Sequence, residues 1–138
     1  MSGAAPQRGR LAPDLDPESS PWWEALRRGS FTLPVCASGH RWFPAAPACP
    51  ECGTTDYSLR ESSGRGRIYS WVVTHFALHP AFAEDVPYTV VAVDLDDGPR
   101  LIGRLIGTDL PPEAGAEVRA AIYEVSGQPL LGFERVPR

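Results

Sequence analysis

Lysine is absent from this 138-residue sequence, and all 13 of its basic residues are arginine. The formal net charge is −4 at pH 7, which disfavours non-specific binding to nucleic acid because such binding draws its affinity from neutralised phosphates. The sequence has no apolar run long enough to span a bilayer, and residues 1–10 have no apolar signal-peptide core. We therefore expect a soluble, cytoplasmic protein that binds neither nucleic acid nor a membrane.

Cysteine is scarce as well. The three cysteines are an odd number without the spacing of a secreted disulfide scaffold, which favours a reducing compartment. All three lie between Val35 and Gly53 together with one histidine. Tetrahedral zinc binds four N or S ligands, and two short ligand pairs joined by a loop of this size are typical of a ribbon. The spacing predicts a structural Cys3His zinc site, closed to water, with the ligands Cys36, His40, Cys49 and Cys52.

Two other interpretations of this stretch stay open. The cysteines could be buried small apolar residues of a ribbon that has lost its metal, or Cys49 and Cys52 could form a redox pair. A thioredoxin-like pair should open a helix, whereas here the pair is surrounded by prolines and no helical periodicity follows Gly53. Zinc is the favoured interpretation.

A short helix is predicted just before this stretch. Ser20 suits the N-cap and Pro21 the first helical position, and Gly29 suits the end of the helix. The adjacent Trp22 and Trp23 point about 100° apart on a helix, so one can pack on its own domain while the other faces a partner. The alternative is that both rings plug the zinc site.

The sequence after the zinc site has the pattern of strands. β-Branched and aromatic runs recur, and Asp96-Asp97-Gly98 is a hairpin signal. Five strands in this length predict a mainly β fold, a five-stranded Greek-key barrel of the OB type preceded by the short helix and the zinc ribbon. The predicted parts are a flexible tail (1–17), the helix and connector (18–34), the zinc ribbon (35–58) and the barrel (59–138).

Two further groups of residues are candidates for binding. The loop from Phe76 to Phe82 is apolar without an evident structural reason, which makes it a candidate contact surface. The arginines Arg65, Arg67, Arg100 and Arg104 could hold the phosphates of a coenzyme A, although they could equally form a solvated face paired with nearby aspartates.

No catalytic site is predicted. Ser70, His75 or His79, and Asp85 could be assembled into a triad, but the sequence has no strand-turn-helix nucleophile elbow to support it.

Several segments in this order resemble a family of bacterial and archaeal proteins once labelled domain of unknown function thirty-five. The segments are Trp23 to Leu26 with Gly29, Cys36 to Gly53, Gly64 to Ser70, Pro87 to Leu95, Gly98, Gly115 before Val118, and Leu131 to Phe133. The resemblance implies that a rubredoxin-like zinc ribbon is joined to an OB-fold. The family usually has Cys-x2-Cys in its first knuckle, where this chain has His40 one residue further along.

The resemblance also implies a function. Members look like non-catalytic partners of thiolase-superfamily enzymes acting on acyl-CoA thioesters, including aldolases that shorten steroid side chains. We then expect a hetero-oligomer in which the acyl-CoA is reached through the partner, and the partner-binding residues would be Trp22, Trp23, Phe76 and Phe82. The alternatives are a nucleic-acid-binding OB module and a stand-alone acyl-CoA-binding protein.

Overall fold

The computed structural model describes residues 13, 16–107 and 110–137, so the tail predicted for residues 1–17 lies almost wholly outside the described residues. Within these residues one helix and seven strands follow in chain order: α1 Ser20–Arg27, β1 Thr32–Cys36, β2 Tyr57–Glu61, β3 Arg65–Thr74, β4 Tyr88–Leu95, β5 Arg100–Ile106, β6 Glu117–Val125 and β7 Gln128–Arg135. A 3-10 turn, Pro80–Phe82, lies in the β3–β4 loop. No helix among the described residues is long and apolar enough to cross a membrane.

The last five strands close a barrel in the order β3-β4-β5-β7-β6. Every pairing is antiparallel except the parallel contact between β5 and β7. This is the Greek-key order of an OB-fold, so the predicted fold class is confirmed. Gly66 allows β3 to curve tightly at the closure, since a Cβ there would lie 2.5 Å from the carbonyl oxygen of Asp94.

The burial pattern of strand β3 changes at a register shift between Ile68 and Ser70. Before the shift its residues alternate between exposed and buried, as expected for a barrel wall. After it, Trp71, Val72 and Val73 are 40%, 63% and 48% exposed, so both faces of the strand are open to solvent. In this second half β3 pairs with β4 alone, since its pairing with β6 ends at Arg67.

One hydrophobic core joins the barrel to the segments before it. Inside the barrel, Ile68, Val93 and Phe133 are at most 2% exposed. Leu26 of α1 and Leu33 of β1 belong to the same cluster. Because they share this core, the helix and the β1–β2 sheet are held against the barrel rather than linked to it by a free connector.

Helix α1 begins one residue earlier than the sequence suggests. Ser20 is the first helical residue and not the N-cap, which is Ser19 without a side-chain cap. The Ser19 N–H donates instead to a carboxylate oxygen of Asp16 at 2.7 Å. The Ser20 hydroxyl donates to the backbone carbonyl of Asp16, also at 2.7 Å. Gly29, at φ +87°, ends the helix as predicted because a left-handed residue there costs glycine no steric strain.

Candidate metal centre and surrounding surfaces

Two tight turns form the candidate metal centre. In the first, the N–H of Gly39 donates to the carbonyl of Cys36 at 2.9 Å, and Gly39 has φ +85°. In the second, the N–H of Gly53 donates to the carbonyl of Cys49 at 2.8 Å, and Gly53 has φ +74°. Both turns need the left-handed backbone that glycine adopts without strain. The two turns therefore present their side chains to a common point.

The structure brings all four predicted ligands together. Their ligand atoms lie within 4.8 Å of one another. Cys36 Sγ is 3.4 Å from His40 Nδ1 and 3.9 Å from Cys52 Sγ, and Cys49 Sγ is 3.5 Å from His40 Nδ1. Tetrahedral zinc separates two sulfur ligands by about 3.8 Å and a sulfur from a nitrogen by about 3.5 Å, given its usual bond lengths. The donor set and its spacing fit zinc, which would cross-link the two turns.

The length of the histidine side chain explains how this chain can form a four-ligand site with three cysteines. The position three residues after Cys36 is Gly39, so the ligand moves one residue further, to His40. The longer histidine side chain still places Nδ1 beside two sulfurs. His40 therefore occupies the position of the missing thiolate.

Backbone donors act on the thiols of the two turns. Burial raises the pKa of the Cys49 thiol, but the N–H groups of Cys52 and Glu51 outweigh it and lower the pKa to about 7. Burial also acts to raise the pKa of Cys36, and N–H groups in its own turn lower it overall. Zinc binds the thiolate form, so these donors favour the ligand state that the metal requires.

The pKa values of the other two ligands, His40 and Cys52, are raised. The pKa of His40 is raised, chiefly by its hydrogen bond with Cys49 and against the effect of burial. A Thr54 backbone donor acts to lower the pKa of Cys52, but the hydrogen bond with Cys49 and burial raise it overall.

The redox interpretation has little structural support. Residues after Cys52 continue through a turn into β2, whereas a thioredoxin-like pair opens a helix.

A tryptophan that the sequence analysis missed packs behind the cluster. Trp42 is 4% exposed and forms one hydrophobic cluster with Cys36 and Cys49. Its ring meets Tyr57 edge-on at 5.2 Å, and its Nε1–H donates to the carbonyl of Ala46 at 3.4 Å. The signal was an aromatic residue between the two ligand pairs, which is where a ribbon needs apolar filling.

The two tryptophans of α1 have different surroundings. Trp22 is 5% exposed, belongs to the main core, and donates from Nε1 to the carbonyl of Thr32 at 2.9 Å. Its ring lies 4.8 Å from that of Trp23 and 5.3 Å from that of Phe43. Trp22 is thus almost wholly covered within its own chain, which leaves little of its ring for the partner contact predicted for it. Trp23 is only partly buried, and Trp42 rather than either of the two fills the zinc ribbon.

The predicted contact loop lies at the edge of a shallow apolar groove of about 290 Å³. Phe76 and Leu78 are 73% and 92% exposed. Phe82 is partly buried, with its ring 6.0 Å from that of Tyr88. Trp22, Trp23 and Phe82 all line the groove, together with residues of β4, β5, β6 and β7. The groove therefore brings together three of the four predicted partner-binding residues from distant parts of the chain.

Three of the four predicted phosphate-binding arginines are engaged within their own chain. Arg100 holds Asp94 through two hydrogen bonds of 2.6 and 3.2 Å, and it lowers the pKa of that carboxyl. Arg104 pairs with Asp85 at 2.9 Å, and Arg67 donates to the carbonyl of Gly115 at 3.0 Å.

Of the four, only Arg65 is exposed with no side-chain hydrogen bond or ion pair among the described residues. Within the part of the chain that the structure describes, this set therefore forms no converged anion site, and two of the four arginines, Arg100 and Arg104, pair with aspartates.

The possible triad is not assembled. The Asp85 carboxylate is engaged by Arg104, and His79 Nδ1 accepts from the N–H of Ala81 at 2.9 Å. Among the described residues, no hydrogen bond joins Ser70 to His75 or His79.

Family models match most of the chain. A model described as the ChsH2 rubredoxin-like zinc ribbon domain matches residues 23–58, and one described as the ChsH2 C-terminal OB-fold domain matches residues 59–122. A DUF35 domain-containing scaffold protein of Pyrococcus furiosus is 34% identical over 112 residues, covering 74% of this chain and 79% of that protein. This chain belongs to the ChsH2/DUF35 family. The predicted resemblance is therefore confirmed, and the Cys/His cluster within the zinc ribbon domain is compatible with structural zinc.

Two other relatives are longer than this chain. A probable enoyl-CoA hydratase alpha subunit of Thermomonospora curvata is 35% identical over 103 residues, covering 74% of this chain and 32% of that protein. The 3-oxo-4,17-pregnadiene-20-carboxyl-CoA hydratase alpha subunit of Mycobacterium tuberculosis is 27% identical, covering 90% of this chain and 40% of that protein. This chain thus spans well under half the length of these two relatives.

A solved structure contains a chain that is similar to this one over nearly its whole length. It is described as the Ltp2-ChsH2(DUF35) aldolase, and it matches with a TM-score of 0.77 at 32% identity. The match covers 90% of this chain and 98% of the matched chain. The similar proteins thus include proteins described as a scaffold protein, as hydratase alpha subunits and as an aldolase.

Proposed function

We propose that this chain is a non-catalytic accessory subunit that binds and supports a thiolase-superfamily enzyme acting on acyl-CoA thioesters. The enzyme would be a lipid-transfer-protein-type thiolase or a retro-aldolase. The observation that carries the proposal is the similarity to the Ltp2-ChsH2(DUF35) aldolase, because it extends over 98% of the matched chain.

The substrate proposal is narrower. The name of the M. tuberculosis relative specifies a pregnadiene carboxyl-CoA, which is a steroid thioester. This supports a role in steroid side-chain degradation, in the cytoplasm, with the thioester bound by the partner enzyme. In agreement with this, the arginines Arg67, Arg100 and Arg104 contact their own chain and are not gathered to hold a coenzyme A.

The chain's own residues support a scaffold rather than a catalyst. Its cysteines and histidine form a closed ligand set, and Asp85 is neutralised by an arginine. Large apolar side chains are nevertheless exposed, as expected of a surface that a partner covers. We assign partner contact to Trp23 of the helix and to Phe76 and Phe82 of the barrel at 59–138, and metal binding to the four ligands of the ribbon at 35–58.

The test is co-purification followed by reconstitution. The tagged full chain is expressed in its native host, and the co-eluting protein is identified by mass spectrometry and then produced separately. We expect a thiolase-superfamily enzyme in a fixed ratio, whose cleavage of an acyl-CoA increases when the chain is added back. Thioester turnover by the purified chain alone, lost on His75→Ala or His79→Ala, would show that it is an enzyme.

A hydratase partner is the second candidate, since two relatives are named hydratase alpha subunits. The same experiment distinguishes the two. A hydratase that co-elutes in a fixed ratio, without any thiolase-like protein, would favour the second candidate.

A further inference from the structure

The two ring nitrogens of His40 face different groups. Nδ1 lies 3.4 Å from Cys36 Sγ and 3.5 Å from Cys49 Sγ. Nε2 lies on the other side of the ring, 3.1 Å from a carboxylate oxygen of Glu51. A hydrogen bond at one imidazole nitrogen determines that this nitrogen carries the proton and leaves the other free to bind a metal.

We propose that Glu51 is a positioning residue of the metal centre. Its carboxylate accepts a hydrogen bond from the Nε2–H of His40 and so presents the unprotonated Nδ1 to the metal. Glu51 lies between the ligands Cys49 and Cys52, whereas His40 belongs to the other turn. The bond therefore ties the two turns together on the outside of the cluster.

This chain has a specific need for such a residue. A cysteine offers one ligand atom, but a histidine offers two nitrogens and a ring that can rotate about its bonds. His40 follows the glycine turn directly, and its side chain is 33% exposed, so neither its backbone nor deep burial orients the ring. Glu51 provides that orientation.

The backbone places Glu51 where it can do this. Its own N–H donates to Cys49 Sγ at 3.4 Å, which holds the residue over the cluster. The carboxylate is 68% exposed, so water competes for it and the expected effect is at the lower end of what such outer partners contribute.

The first test measures zinc affinity. The full chain and the variants Glu51→Ala and Glu51→Gln are titrated with zinc against a chromophoric chelator. Alanine removes the acceptor and should weaken zinc binding about tenfold. Glutamine keeps an acceptor oxygen and should weaken it less. The control Glu124→Ala removes an exposed carboxylate on β6, far along the chain from the ligands, and should bind zinc like the wild type. Equal affinities for Glu51→Ala and Glu124→Ala would overturn the proposal.

The second test observes the ring itself by ¹⁵N NMR of the zinc-loaded protein. In the wild type, Nε2 of His40 should carry the proton and Nδ1 should show the shift of a metal ligand. The alanine variant should show an exchanging mixture of the two arrangements. A wild-type spectrum with protonated Nδ1 would overturn the proposal. This spectrum needs only the wild-type protein, so the test remains possible if the alanine variant does not fold at saturating zinc.

Discussion

The zinc ribbon and the barrel maintain their structures by different means. Between Cys36 and Tyr57 the backbone forms turns and one isolated bridge, and the buried cluster there consists of Cys36, Trp42 and Cys49. The barrel has five hydrogen-bonded strands around a continuous core. The comparison indicates that the ribbon depends on a few ligand side chains, whereas the barrel distributes its stability over many apolar contacts.

The largest effect is expected from removing a metal ligand. Cys52→Ser should reduce bound zinc from about one equivalent to none, because structural zinc contributes on the order of 10 kcal/mol to the fold of a ribbon. Metal analysis after dialysis measures the loss, and hydrogen exchange should show that protection falls in residues 36–53 far more than in β3–β7. The control Ser38→Ala should keep its zinc. A Cys52→Ser protein with wild-type zinc content and protection would contradict the ligand assignment.

A core substitution should destabilise the barrel instead of the zinc ribbon. Phe133 is fully buried in the barrel, and its ring lies 2.9 Å from where a Cβ on Gly103 would be. Phe133→Ala should lower the free energy of unfolding by about 3–5 kcal/mol while the folded protein keeps its zinc. Chemical denaturation and metal analysis test this. Phe76→Ala, at a site that is 73% exposed, is the control and should leave stability nearly unchanged.

The two tryptophans of α1 should separate residues that stabilise the packing of the helix on the barrel from residues that bind the partner. Trp22→Ala should cost about 3 kcal/mol or more of stability, because it removes a buried ring and a hydrogen bond to Thr32. Trp23→Ala should change stability little but weaken binding of the partner enzyme about tenfold, or about 1.4 kcal/mol. Thermal unfolding and calorimetric titration measure the two effects separately. If binding falls only in proportion to stability for both variants, the docking surface lies elsewhere.

The smallest effect is expected at the surface of the barrel. Arg100 lowers the pKa of Asp94, so the pair contributes stability above the ordinary aspartate pKa of 3.8, and that contribution is lost as pH falls through the folded-state value. The stability difference between the wild type and Asp94→Asn should therefore be small at pH 7 and vanish in acid. Thermal unfolding across pH 2–7 measures it. A difference that grows as the pH falls would contradict the assigned pair.

Much of the metal centre and the barrel could be predicted from the sequence because both depend on local patterns. The ligand spacing, the glycine that follows Cys52, and the alternating apolar runs extend over a few residues each. The hairpin signal at Asp96 to Gly98 correctly paired β4 with β5. These features follow from backbone geometry, which the neighbouring residues largely determine.

The tertiary structure decided the choices between partners distant in sequence. Trp22 and Trp23 are equivalent in the sequence, and only packing against Thr32 and Phe43 buries the first rather than the second. Arg104 pairs with Asp85 across a loop, and Glu51 reaches His40 from the opposite turn. Each of these side chains had several possible partners at similar sequence distance. The closed barrel and the folded ribbon brought one of them within hydrogen-bonding distance, which no local pattern specifies.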